Sequence, residues 1–364
     1  MKNSSQSFYK VILLSVLIIS VTLTSCAHKP KVIEHGIFAP SRLESVIGQD
    51  GVCSINFSED ITLWTFADTI TGKWKSEEGR LSADKNEALM DGMLSNSIAW
   101  SEKITDKNYK NIHLNFYKEK GRAAQFIKNY KNESHNKHRF WALDGFRTGN
   151  KVYVYYLHVY VPDPSQFLNF EVRYVGLARW DIPRGWKPGD KIDFTRLGQL
   201  FSKGSPFFGA AVMERDGFVY LAGHFKNASS EFPLSFARVP VEKIEDSTSY
   251  SYLSRKGEWV SDIKSAGSFF GDITGECSLS YNNYLKEYVI VYSKVFTGEV
   301  TLVRFKDFSR IPSAEKEIVL KVYKAEGASM WPYSGKEIFS SGNSLFLIYI
   351  DPARYQPLLV ELRY

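Results

Sequence analysis

Residues Gly48–Thr71 read GQDGVCSINFSEDITLWTFADTIT. Two short apolar-rich runs, Val52–Phe57 and Ile61–Ala67, flank the polar triplet Ser58-Glu59-Asp60. Alternating apolar and polar residues mark strands, and three residues are a common hairpin loop. Pairing Phe57 with Ile61 fixes the register, so that paired positions sum to 118. Asp50 and Asp68 obey the same sum, so the hairpin predicts them opposite each other at its open end. Side chains so placed have Cβ atoms roughly 4.5–5.5 Å apart, and two like charges there repel. A sheet gains nothing from that pair. Chemistry does: one carboxyl is pushed to hold its proton while the other ionises. Glycoside hydrolysis needs such a pair, one to protonate the leaving oxygen and one to activate water or attack the sugar carbon. Each aspartate alone also has a plain reading, Asp50-Gly51 as a turn and Asp68-Thr69 as a loop cap.

Outward from this hairpin the pattern returns. Asp50–Thr69, Phe140–Tyr160, Phe207–Phe225, Thr274–Ser293 and Trp331–Asp351 each have a small or polar start, a short strand, a turn and a second strand rich in aromatic or branched residues. Their starts, near 50, 143, 209, 276 and 334, lie some 58 to 93 residues apart. Each interval holds a four-stranded antiparallel sheet with its loops. Repeats of this size predict an all-β chain, a five-bladed β-propeller, with a pair of β-sandwiches as the alternative. The one helical stretch expected is Gly121–Tyr130, GRAAQFIKNY. Aromatic residues make up 15% of the chain. They suit strands, and flat rings also stack on sugars.

The N-terminus sets the compartment. Lys2 and Lys10 precede the apolar run VILLSVLIISV and then Leu23-Thr24-Ser25-Cys26, a secretory signal. LTSC resembles the bacterial lipobox, which makes Cys26 a lipid anchor and residues 1–25 a leader. An ordinary signal peptide is the alternative. No aspartate directly follows Cys26, which leans towards the outer membrane in a host with two. Residues 26–45 read as a tether and 46–364 as a single domain, expected to be a monomer.

Charge and cysteines exclude several classes. The leader holds two lysines and no acid, so 44 basic residues face 40 acidic ones, a mild +4 with no long basic run, and nucleic acid is not expected. Cys53 and Cys277 are no disulfide framework, though one bridge is open to them. They read as buried small residues. No H-x-x-H or Cys/His cluster suggests a metal site, and no phosphate loop or G-x-S-x-G elbow occurs. No cofactor is expected, and a lone structural calcium is left open. His158 and His224 read as structural.

The same residues resemble a known family. DGVCSINFSEDITLWTFADT is similar to the first-blade signature of the family known as domain of unknown function 4185, with Ala67 where the family has glycine. NSIAWS (Asn96–Ser101), WALDGF, GAAVMERDGFVYL and GECSLSYNNYLKEYVIVYS resemble its later blocks in order, over about residues 45 to 355. The resemblance implies a five-bladed β-propeller similar to the large propeller clan of glycoside hydrolases. Some members are endo-D-arabinanases, which cut the arabinofuranose backbone of mycobacterial cell-wall glycans. Their catalytic aspartates fall by motif on Asp50 and Asp68. Substrate does not travel safely with fold.

Further candidates follow from position. Glu276 starts the fourth repeat and reads as acid, pKa modulator, sugar ligand or plain strand-end residue. Asp144 starts the second, where a turn role competes. Asn96 reads as a hydroxyl ligand or a loop residue. Trp141 and Trp331 precede repeat starts, as stacking platforms or packing residues. The expectation is an envelope-anchored glycoside hydrolase of a furanoside-containing polysaccharide. A non-catalytic glycan-binding lipoprotein and a structural envelope propeller are the other readings.

Overall fold

The computed structural model describes residues 29–364, save 167–168, 227–230 and 327. The leader and Cys26 lie outside the described residues. The chain winds successive strands into antiparallel sheets, each strand pairing with the next. The first sheet holds Cys53–Asn56, Ile61–Phe66, Ser97–Glu102 and Asn115–Phe116. The second holds His138–Thr148, Lys151–Tyr160, Glu171–Asp181 and Thr195–Ser202. The third runs from Ala211–Arg215 and Phe218–His224 through Leu234–Pro240 to Ser251–Leu253 and Trp259–Val260. Ile273–Asn282, Glu287–Lys294, Glu299–Phe305 and Glu315–Lys321 make the fourth. Tyr333–Ser341, Ser344–Asp351 and Gln356–Arg363 begin the fifth, which Lys31–Ile37 completes.

The first strands of these sheets touch in sequence, and that of the fifth touches that of the first, so they form a closed ring. Between neighbouring sheets lies an apolar cluster. Phe140, Tyr156 and Trp180 meet Ile55 and Leu63 between the first two sheets, and Val289 and Leu302 meet Leu345 and Val360 between the last two. This explains the second strands. Ser344–Asp351 is buried at every position and Lys151–Tyr160 at most of them, because each is covered on both faces. Such strands need near-continuous branched and aromatic residues rather than alternation.

The opening hairpin has the predicted register: Cys53 pairs with Thr65, Ser54 with Trp64, Ile55 with Leu63 and Asn56 with Thr62. Ser58 Oγ accepts from the Ile61 N–H at 3.1 Å and so closes the loop. Two expectations are corrected. Gly121–Tyr130 is no helix: Arg122–Ala123 pairs with Lys118–Glu119 as a short ribbon, and the residues after it form a loop with Phe126 and Ile127 fully buried. The tether is shorter than 26–45, because Lys31–Ile37 is a strand of the fifth sheet, Ile33 opposite Glu361. Arg42, inside the same stretch, is wholly buried and donates to the Phe38 carbonyl at 3.1 Å and to the side chains of Gln49 and Gln356.

Between the hairpin and the next strand the chain inserts a second ribbon. Thr69–Trp74 and Ala88–Leu94 pair with each other, and Thr69–Trp74 also pairs with Gly48–Gln49. The short helix Glu77–Ser82 caps it, with Ser76 accepting from the Gly79 N–H.

Candidate active site

The inner strands are irregular at one level of the ring. Pairing breaks between Ala142 and Gly145, between Thr274 and Cys277, and between Tyr333 and Lys336. Such bulges re-aim side chains, and here they aim Asp144, Glu276 and Ser334 out of the regular alternation. Two glycines permit the crowding. Gly51 has φ +63, and a Cβ there would meet Ala67 at 2.6 Å and Glu276 Oε1 at 3.1 Å. Gly275 has φ +72, and a Cβ would meet Ser334 Oγ at 2.2 Å. Side chains at either position would push the acids apart.

The starts of the inner strands open on a cavity of about 670 Å³. Asp50, Asp68 and Glu276 all line it, with Arg139, Trp141 and Tyr333. Backbone bonds set the two aspartates: the Asp50 N–H donates to the Asp68 carbonyl at 3.2 Å, and the Ala67 N–H to the Asp50 carbonyl at 3.1 Å. Their side chains have different partners. Asp50 Oδ2 accepts from the Tyr333 hydroxyl at 2.9 Å, and the Tyr355 hydroxyl lies against the same carboxyl. Asp68 Oδ1 accepts from Trp141 Nε1 at 2.9 Å, and Arg139 Nη1 stands 3.6 Å from Oδ2. Glu276 accepts from Ser334 Oγ, which in turn accepts from the Glu276 N–H at 3.3 Å.

The electrostatics separate the pair. Burial pushes the Asp50 carboxyl well above the usual range, the charges of Asp68 and Glu276 push it further, and the two tyrosine hydroxyls pull it back. Burial also raises Asp68, to about 6, against the pull of Arg139 and the Trp141 N–H. Both carboxyls are raised. Only Asp68 has a cation and an N–H holding its anion, so Asp68 ionises first and Asp50 keeps the proton.

The other candidates divide. Trp141 is at the site, its N–H on Asp68 and its ring edge-on to Phe170, with centroids 4.9 Å apart. Asp144 is not in this cavity. It lines another, of about 520 Å³, formed by later residues of the inner strands together with Cys53 and Lys336. Its oxygens accept from the Gly145 and Val212 N–H groups, both at 2.8 Å. It pins the inner strands of the second and third sheets together. Asn96 is fully buried, and every hydrogen-bonding position of its amide is used. It donates to the Ile127 and Phe140 carbonyls at 3.1 and 2.9 Å and accepts from the Phe126 and Ile127 N–H groups, both at 3.0 Å. Asn96 therefore has nothing to offer a sugar hydroxyl. Trp331 does not line the cavity; it packs beside Gly298. Cys53 and Cys277 are free, buried thiols, and burial pushes Cys53 up to about 12, too high for a nucleophile. Among the described residues no group of three or more His, Cys, Asp or Glu is placed to hold a metal ion.

Four residues at the site were not singled out from sequence: Arg139, Tyr333, Tyr355 and, as a cavity residue, His224. A signal existed for Arg139. It lies two residues before Trp141 on one strand, hence on the same face. Tyr333 carries no such signal: its strand starts at Tyr333, and Trp331, two residues earlier, lies outside that strand and off the cavity. Tyr355 sits in a turn with φ +55, where no periodicity announces it.

Comparison with known proteins gives the family and the fold. The model of a family described as "Domain of unknown function (DUF4185)" matches residues 47–360. No curated protein matches the sequence. Among solved structures, a protein of Bacteroides ovatus for which a hydrolase role has been suggested superposes with a TM-score of 0.62 at 13% identity, over 87% of this chain and 86% of its own. The GH43_1 enzyme from Xanthomonas citri, complexed with xylotriose, superposes with a TM-score of 0.50 at 12% identity, over 90% of each chain. At such identities the likeness is one of fold.

Proposed function

Because the chain belongs to the DUF4185 family, we propose that it is a glycoside hydrolase built on a five-bladed β-propeller, with Asp50 and Asp68 as its working pair. The observation that carries this reading is the asymmetry of two carboxyls in one cavity. Asp50 is held protonated by burial and by neighbouring anions. Asp68 is held as the anion by Arg139 and Trp141. In the reaction Asp50 gives its proton to the departing glycosidic oxygen as the bond to the anomeric carbon breaks. Asp68, ionised, attacks that carbon or takes a proton from the water that does. Glu276 adds negative charge that keeps the proton on Asp50. The apolar wall, with Trp141, Phe170 and Phe207, offers ring faces to the sugar. The substrate is a furanoside-containing polysaccharide, D-arabinan among those to be tried first. The protein acts as a monomer, exported and held to the bacterial envelope by lipid on Cys26.

The test is a digestion panel. The domain from residue 29 onward is incubated with cell-wall and plant polysaccharides, and products are read by mass spectrometry. Asp50→Asn and Asp68→Asn should each abolish release and leave binding in place. Binding without release by the unaltered domain on every polysaccharide would replace the hydrolase with a glycan-binding lipoprotein. For the anchor, Cys26→Ser should move the full chain from the membrane fraction to the soluble one.

A further inference from the structure

Buried polar atoms are rarely left without a partner. Three such atoms belong to residues lining the cavity: Asp50 Oδ1, on the acid itself, and, beyond the working pair, Arg139 Nε and His224 Nδ1. His224 ends the strand Phe218–His224 and is only 9% exposed. Its other ring nitrogen, Nε2, lies 2.8 Å from the Gly275 carbonyl oxygen. A carbonyl can only accept, so Nε2 carries the hydrogen and Nδ1 presents a lone pair. Burial holds this imidazole below its ordinary pKa, so it stays neutral. The ring of Phe207 stands edge-on to it, with centroids 5.6 Å apart, and fixes its plane. Arg139 is held from the other end, Nη1 donating to Met93 Sδ at 3.2 Å and lying near Asp68. Its Nε–H remains a donor with no acceptor.

The cavity thus offers one fixed acceptor and one fixed donor beside the two acids, each desolvated. A ligand that satisfies both must donate at one point and accept at another, as a polyol does. Resting on the glycosidase reading above, we propose that His224 Nδ1 accepts from, and Arg139 Nε donates to, hydroxyls of the sugar ring bound against Asp50 and Asp68, and that His224 is the residue that selects which sugar binds. A site that leaves a buried polar atom unpaired rejects an analogue lacking the matching hydroxyl far more strongly than an apolar pocket rejects a missing methylene.

The test uses side-chain geometry. In His224→Gln the amide nitrogen takes the place of Nε2 and keeps the Gly275 contact, while the acceptor at Nδ1 is gone. In His224→Asn the amide takes the place of Nδ1 and restores an acceptor. Binding of D- and L-arabinofuranose oligosaccharides and of xylohexaose is measured by calorimetry. Binding of methyl arabinofuranosides and their monodeoxy analogues is measured by NMR. His224→Gln should weaken binding of the preferred series about 10- to 100-fold, flatten the preference over one monodeoxy analogue, and leave the melting temperature unchanged. His224→Asn should recover part of the affinity. Unchanged affinity and unchanged preference in His224→Gln would overturn the assignment. Binding that depends on His224, with no product released from any polysaccharide, would keep the assignment and remove the hydrolase. Product release with a His224→Gln enzyme unaltered in kcat/KM and affinity would do the reverse. No binding and no release on any probe would overturn both.

Discussion

The Asp50 N–H donates to the Asp68 carbonyl at 3.2 Å. The two carboxyls are therefore set by main-chain pairing at the mouth of a hairpin, not by a loop that could drift. The sheet bears the cost of holding two acids together, and the substitutions below read that cost.

Asp68→Asn should stabilise the protein at neutral pH. The Asp68 carboxyl titrates near 6 in the fold against an ordinary 3.8. A raised acid binds its proton more tightly when folded, so stability is fullest below about pH 4 and declines as pH rises towards about 6. Removing the charge recovers that loss above the window. Thermal melts should show a higher melting temperature for Asp68→Asn at pH 7 and no gain at pH 4, alongside a loss of glycan release of at least about 1,000-fold.

Trp141→Phe should move the acid limb of the pH–rate profile. Activity is expected to rise as Asp68 ionises, near pH 6. The Trp141 N–H stabilises that anion. Its loss should shift the limb upward by about one unit. Trp331→Phe, away from the cavity, should leave the limb where it is.

Tyr333→Phe should move the other limb. The Tyr333 hydroxyl donates to Asp50 Oδ2 at 2.9 Å and favours its ionised form. Without it Asp50 holds its proton to higher pH, and the alkaline limb should extend upward by about one unit. A profile narrowed from the alkaline side would reverse the roles given to the two aspartates.

Asn96→Ala should cost stability and nothing else. It strips partners from two backbone N–H groups and two carbonyls that stay buried. Denaturant melts should lose about 3–5 kcal/mol, while the KM of the folded fraction stays that of the parent.

These predictions also mark what the sequence disclosed. The hairpin register was legible because a three-residue loop and period-two alternation leave one solution, and Cys53–Thr65 to Asn56–Thr62 obey it. The five strand pairs were legible because each second strand, covered on both faces, must be apolar throughout. Gly121–Tyr130 misled for a related reason. Phe126 and Ile127 are apolar because Asn96 draws their backbone into the core, not because a helix needs a face. Asn96 itself looked like a ligand because its partners lie about 30 and 44 residues away, beyond any local pattern. Glu276 was named from its repeat position. The bulge that aims it, and the Ser334 that holds it, depend on contact between separate sheets, which no window of sequence contains.

The strand Lys31–Ile37 lies beside Gln356–Arg363 in the fifth sheet. The first strand therefore has no partner until the last one exists. During synthesis four sheets can form in turn, but Lys31–Ile37 stays unpaired until Gln356–Arg363 has been made. Until then the fifth sheet exposes a bare edge to other chains. This pairing spans almost the full sequence, which makes closure a slow, late step of high contact order. It also makes the last few residues, far in sequence from either aspartate, the latch on which the whole cavity depends.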